Sequence, residues 1–236
     1  MRHGYTNRTV ADAAHVEKTY QGPDASRRLA RERDALSALR GLLPVPVVDA
    51  VRADGLILRF LPGDHGQDLI ERGHARDVLR ACGSVLRRLH ELPVSEDLFG
   101  PPDQPGQILM HGVLVHSIPV HGVLVHGDFG PNNVLLDPAT FAVTGVLDWE
   151  FAHFGAPVED LAWCEWIVRA HHPAHRDALG EFFSGYGAAV PGWAERQAAM
   201  VDRCAQLEEF CRAWDPLGPG VQLWRERAAA AARWHE

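Results

Sequence analysis

Apolar residues in this chain recur first at every second position and later at every third or fourth. Thr9 to Val10 and His15 to Tyr20 read as two short strands joined by a turn, and Gly22, Pro23 and Asp24 follow as a turn and helix N-cap. Leu29, Leu36 and Leu39 fall at helical spacing and predict a helix from about Ala25 to Arg40, stopped by Gly41. Glu32 lies three residues beyond Leu29 on a neighbouring face. Pro44 to Val51 and Gly55 to Leu61 return to strand pattern, with Ala53, Asp54 and Gly55 as the hairpin turn. Residues 1–61 therefore predict a small sheet carrying one helix.

Leu61, Pro62, Gly63 and Asp64 break the pattern and mark a lobe boundary, dividing 1–61 from 62–236. Val78, Leu79, Cys82, Val85, Leu86 and Leu89 line one face of an amphipathic helix that ends before Pro93. After a Pro- and Gly-rich loop over 94–106, the hexapeptide His-Gly-Val-Leu-Val-His occurs twice, at 111–116 and 121–126. Only the second copy continues into Gly127 and Asp128, so the first reads as a partner strand or a remnant of duplication. Val134 to Leu136 and Ala142 to Leu147 predict a hairpin, and the chain from Val158 reads as helical, with turns at Pro173, Pro191 and Pro216 to Gly220. The expected class is α+β: a small, β-rich first lobe and a mainly helical second lobe.

Composition narrows the function. At 46% hydrophobic the chain can build a core. No run approaches the roughly 18 apolar residues of a membrane helix, and no basic stripe with interleaved aromatics suggests nucleic acid. Cys82, Cys164, Cys204 and Cys211 form no paired motif, which suits reduced thiols in a cytoplasm and implies no zinc site. His171, His172 and His175 invite a metal, but Pro173 breaks any shared helical face and an exposed polar loop is expected. All seven Trp lie at or beyond Trp149 and read as packing residues. The net charge of −8 is uneven: residues 1–60 carry 10 basic against 7 acidic side chains, leaving 13 against 24 in the remainder. An acidic second lobe suits a cationic substrate, besides keeping a protein in solution.

Of 23 basic residues all but Lys18 are Arg, and a lone ammonium reaches between phosphates in a way a planar guanidinium does not. His126, Gly127, Asp128 and Asn133 follow a catalytic-loop spacing in which an Asp accepts the proton of an attacking hydroxyl and an Asn five residues later holds magnesium. Asp148, at the end of a hydrophobic strand, is a second hard-oxygen ligand, and Glu150 a further metal candidate. Lys18 on a strand and Glu32 on the next helix would pair to hold the ammonium against phosphates. Each residue alone has an ordinary structural reading; the ordered series does not.

These stretches are similar to the aminoglycoside phosphotransferase family, small-molecule kinases with the protein-kinase-like fold and choline-kinase-like relatives. The resemblance runs through Gly4 to Thr9, Val16 to Tyr20, Arg31 and Glu32, Leu58 to Gly63, Leu89 and His90, Val125 to Leu135, Val146 to Glu150, Pro157 to Ala162 and Gly185 to Gly187. It implies ATP or GTP, Mg2+, and transfer of the γ-phosphoryl group to a hydroxyl of a small, cationic molecule such as an aminoglycoside-like antibiotic or an amino alcohol. It places Thr6 and Asn7 in the nucleotide loop, the backbone of Phe60 and Leu61 against the adenine, and Asp160 as an acid that fixes the catalytic loop. The resemblance starts almost at the nucleotide loop, so a truncated first lobe is expected. Trp149 and Glu150 stand where protein kinases have Phe and Gly, against a protein-kinase activation switch. A binding module without turnover is the alternative. Glu165, Glu208, Glu209 and Asp215 are candidate amine-binding carboxylates, each equally readable as an exposed helix charge. The sequence leaves the oligomeric state open.

Overall fold

β1 (Asn7–Ala11) and β2 (His15–Tyr20) pair antiparallel and lead into α1 (Ala25–Leu39), followed by β3 (Val48–Val51) and β4 (Gly55–Arg59). The computed structural model describes residues 7–99, 107–110, 113–116, 122–187 and 190–236. The first sheet has order β1-β2-β4-β3, antiparallel throughout, and α1 packs on it through Leu29, Leu36 and Leu39 against Leu56 and Leu58. Asp24 precedes α1 but makes no side-chain cap bond, its backbone being left-handed at φ 52°. A missing cap costs about 1 kcal/mol, whereas each buried Leu contributes about 1.5–3 kcal/mol, so packing holds the helix. β3 starts at Val48 and not at Pro44 because Pro44 and Pro46 have no N–H for a ladder.

The chain continues through β5 (Asp64–His65), α2 (Gly66–Glu71) and α3 (Ala75–His90). The first two are too short for periodicity to show. β6 (Gln107–Met110) pairs with β7 (Val113–His116); β8 (Val123–Val125), β9 (Val134–Leu136), β10 (Val143–Val146) and β11 (His153–Gly155) follow. The two copies of the repeat are therefore not partners: β7, from the first, pairs with β6, while β8, from the second, pairs with β11. β9 lies between β10 and β5.

The rest is helical: α4 (Val158–His171), α5 (Leu179–Tyr186), α6 (Trp193–Trp214) and α7 (Pro219–Ala231). A continuous apolar core runs from Leu36 and Leu56 in the first lobe to Leu86, Phe129, Trp149 and Phe182 in the second. A second cluster joins α4, α6 and α7, with Trp163 stacked on Trp166 at 4.6 Å and 3°. The histidine run is not wholly exposed: His172 is buried, and Pro173–Ala178 forms a 3-10 turn. No helix among the described residues is long and apolar enough to cross a membrane.

Candidate active site

Strand alternation turns Lys18 and Tyr20 to the buried face of β2, toward α1. There Lys18 Nζ donates to Glu32 Oε2 and to Asp148 Oδ1, both at 2.5 Å, and the Tyr20 hydroxyl donates to the same Glu32 oxygen at 2.5 Å. Burial alone would lower the Lys18 pKa, but the charges of Asp148 and Glu32 raise it, so the ammonium persists. Burial would likewise raise Asp148, yet Lys18 holds it below the usual carboxylate range. Asp148 has φ +69°, a left-handed conformation costing on the order of 1–3 kcal/mol in a non-glycine residue. Its ion pair with Lys18 offsets that strain.

The turn between β8 and β9 carries the catalytic-loop motif. Gly127 takes φ +81° where a Cβ would come within 2.5 Å of the Phe151 carbonyl, so no other residue fits. Asp160, in the first turn of α4 and fully buried, accepts the amides of His126 at 2.7 Å and Gly127 at 2.9 Å. His90 Nε2 lies 3.2 Å from Asp160, and His90 Nδ1 2.9 Å from the Tyr186 hydroxyl. Three separate sequence stretches thus converge to hold one loop. Burial pushes Asp160 upward, but His90 and the loop amides outweigh it and its pKa is lowered. His126 accepts the Asp128 amide at Nδ1 (3.2 Å) and donates from Nε2 to the Leu147 carbonyl (2.8 Å); burial lowers its pKa and keeps it neutral.

Asp128 is gripped at both oxygens. Trp163 Nε1 donates to Oδ1 at 2.7 Å, and Asn133 Nδ2 donates to Oδ2 at 2.9 Å and to the Asp128 carbonyl at 2.8 Å. Burial and the charge of Asp148 push its pKa up to about 7, against Arg203, Trp163 and Asn133. A carboxylate tuned near neutral pH is matched to accepting a hydroxyl proton. The Leu147 amide bonds to the Asn133 carbonyl at 2.8 Å, which brings Asn133 beside Asp148 across β9 and β10.

Carboxylate oxygens of Glu32, Asp148 and Glu150 lie within 4.8 Å of one another. Glu32 is engaged by Lys18 and Tyr20. Glu150 is fully buried and accepts from Arg28 Nη1 at 2.6 Å and Asn7 Nδ2 at 2.8 Å. The donor set that fits a hard dication is narrower: Asp148, partly exposed and holding Lys18 by one oxygen, and Asn133, whose amide nitrogen faces Asp128 and leaves its oxygen free of that task. Asn7 opens β1 and turns its side chain to Glu150. Thr6 lies outside the described residues. The Phe60 amide donates to the Ala14 carbonyl at 2.8 Å, so this part of the predicted adenine contact is already engaged.

Of the four candidate amine-binding carboxylates, Glu165 is not a surface charge: it is fully buried and bridges Arg169 (2.8 Å) and Arg196 (2.7 Å). Glu208 is shared by Arg212 and Arg225, Glu209 pairs with Arg212, and Asp215 is exposed. Sequence reasoning missed Arg28, Trp163 and Arg203. Arg28 sits one turn before Glu32 on the same face of α1, and Trp163 one turn after Asp160 on α4, so helical phase could have found both.

The sequence profile of the phosphotransferase enzyme family matches residues 2–109 and 113–199. A search of the curated proteins finds no significant match. Among solved structures, the GDP complex of aminoglycoside 2'-phosphotransferase-IIIa superposes with a TM-score of 0.71 at 15% identity, over 98% of this chain and 91% of that one. The macrolide 2'-phosphotransferase of Brachybacterium faecium gives 0.55 at 21% identity, over 99% and 94%. A choline/ethanolamine kinase family protein of Mesorhizobium loti gives 0.62 at 14%, over 98% and 86%. The small antiparallel sheet and the mostly helical remainder are the kinase-like fold, and the chain belongs to the phosphotransferase enzyme family.

Proposed function

We propose that this chain transfers the γ-phosphoryl group of ATP or GTP to a hydroxyl of a small molecule, in a Mg2+-dependent reaction. The observation that carries this reading is Lys18, the only lysine, joined at 2.5 Å to both Glu32 and Asp148 beside the Asp128–Asn133 loop. Residues 1–61 bind the nucleotide and 62–236 carry the catalytic and acceptor-binding groups. Lys18, aligned by Glu32, meets phosphate charge. Asp148 and Asn133 would hold Mg2+, which supplies charge neutralisation at the phosphates. Glu150 is set apart from that set by Arg28. Asp128 orients the acceptor hydroxyl and takes its proton as the new O–P bond forms and the bond to the nucleoside diphosphate breaks. Positioning and electrostatics supply the catalysis.

The kanamycin and gentamicin complexes of related structures support an amine-bearing acceptor, as does the acidic excess after residue 60. The free cysteines, three of them buried, support a reducing cytoplasm. Thermal unfolding with and without millimolar Mg·ATP or Mg·GTP, in wild type and Lys18→Ala, tests the reading. A ligand at 100 times its dissociation constant adds about 2.7 kcal/mol to stability, so a clear rise in wild type that vanishes in Lys18→Ala is expected. No rise with either nucleotide would sink it.

A further inference from the structure

α6 lies beside Trp163, the residue that bonds Asp128. Arg203, Phe210 and Trp214, seven and four residues apart, share a face of that helix. The Arg203 guanidinium lies 5.0 Å from the Phe151 ring centroid and 5.8 Å from that of Trp163, the residue holding Asp128. Phe210 meets Phe151 edge to face at 6.0 Å, and Arg28 stands over Phe210 at 5.4 Å. Trp214 covers Gly22, where a Cβ would come within 2.6 Å of the indole. The helix therefore runs from the catalytic carboxylate to the first lobe.

Arg203 differs from the other cations near the site. Lys18 ends on two carboxylates, and Arg28 on Glu150, Asn7 and two backbone carbonyls. Arg203 lies within the field of Asp128, Asp160 and Glu159, yet pairs with no acid among the described residues. Its Nη1 donates to Gln206 Oε1 at 3.0 Å, and its Nε is buried without a partner. Asp128 is already held by Trp163 and Asn133, Asp160 by the loop amides, and Glu159 by His153 and the Ala156 amide. A guanidinium carries five N–H donors in a fixed fork. Among the described residues most of this fork is unused, and it lies in the field of Asp128.

We propose that Arg203 is a specificity-determining residue that donates to an oxygen of the acceptor next to the hydroxyl being phosphorylated, and repels an ammonium from that position. A carboxylate fits the fork best, through two parallel N–H donors; a neighbouring hydroxyl satisfies it singly. Amines elsewhere on the acceptor are compatible; an amine flanking the reacting hydroxyl is not. This assignment rests on the phosphotransfer reading above and names what that reaction accepts.

The test compares glycerate and glycerol with 2-aminoethanol and choline as acceptors of γ-phosphate from Mg·ATP. Wild type is expected to favour the first pair by about tenfold or more in kcat/KM, and Arg203→Met to lose about 10- to 100-fold on that pair, mainly through KM, as removal of a charged hydrogen bond implies. Arg203→Lys, which keeps the charge without the fork, should recover part of the loss and carries the test if Arg203→Met does not fold. Transfer to the amino alcohols alone, transfer to neither pair, equal losses on both, or a change in kcat alone with a shifted pH profile would overturn the assignment. Stabilisation of wild type by Mg·ATP reports separately on the phosphotransfer reading, so an intact shift with the wrong acceptor preference overturns this inference only.

Discussion

Trp163 donates its indole N–H to Asp128 Oδ1 at 2.7 Å, and it stands one helical turn beyond Asp160, whose carboxylate holds the same loop by its backbone. One face of α4 thus fixes both the path of the loop carrying Asp128 and the rotamer of Asp128. Replacing Trp163 by Phe keeps a ring against Trp166 and removes the donor. A hydrogen bond to a charged group is worth about 1.5–3 kcal/mol, so turnover should fall about 10- to 100-fold. The bond favours ionised Asp128, whose pKa lies at about 7, so its loss raises that pKa and moves the acidic limb of the kcat/KM profile to higher pH. An unmoved limb would mean that Trp163 only packs.

Lys18→Met leaves Glu32 and Asp148 facing each other without their cation. Breaking a buried pair by removing one partner costs about 3–5 kcal/mol; Asp148 is partly exposed, so the lower end applies. Urea unfolding should show a loss near 3 kcal/mol together with lost activity. A change under about 1 kcal/mol would show that the two carboxylates do not depend on Lys18 for their burial.

Glu150 and Asp148 separate two kinds of carboxylate that the sequence presents alike. Asp148→Asn should raise the half-saturating Mg2+ concentration by about tenfold or more, in line with losing about 1.4 kcal/mol or more of ligand energy. Glu150→Gln should leave that concentration within about twofold and lower stability instead, because Arg28 loses its charged partner. The reverse pattern in a Mg2+ titration of initial rates would make Glu150 the ligand.

Asp160 contributes to acid stability. Its folded-state pKa is lowered, so its contribution is fully present above the unfolded carboxylate pKa of about 3.9 and disappears as pH falls through the folded value. Asp160→Asn should cost about 1–3 kcal/mol at neutral pH and flatten the fall in stability below about pH 4. Urea midpoints at pH 7 and pH 3 check both; a variant that loses stability as steeply as wild type would place the acid sensitivity elsewhere.

Much of this was legible because each chemical residue lies in or just after an element with a strong pattern. Lys18 sits within an alternating strand, Glu32 within a helix carrying a Leu stripe, and Asp148 follows Val146 and Leu147. What periodicity could not show were relations between elements. The repeat left its first copy open as a partner strand or a remnant of duplication, and could not show that β11 supplies the partner of β8 while β6 pairs with β7. Glu165 looked like a helix-surface charge because the arginines that bury it lie one turn away on α4 and on α6. Nothing local reveals that Arg28, 122 residues earlier, reaches Glu150. Arg203 gave no signal at all in an Arg-rich chain, since its meaning is its place beside Asp128.

The most direct test is the initial rate of γ-phosphoryl transfer by wild type and Asp128→Asn, with labelled Mg·nucleotide and a panel of small hydroxylated amines, polyols and hydroxy acids. The account predicts transfer to an acceptor hydroxyl by wild type and a loss of about 10²- to 10⁴-fold in Asp128→Asn, the range of a general base, with nucleotide-induced stabilisation intact. A loss below about tenfold would contradict it.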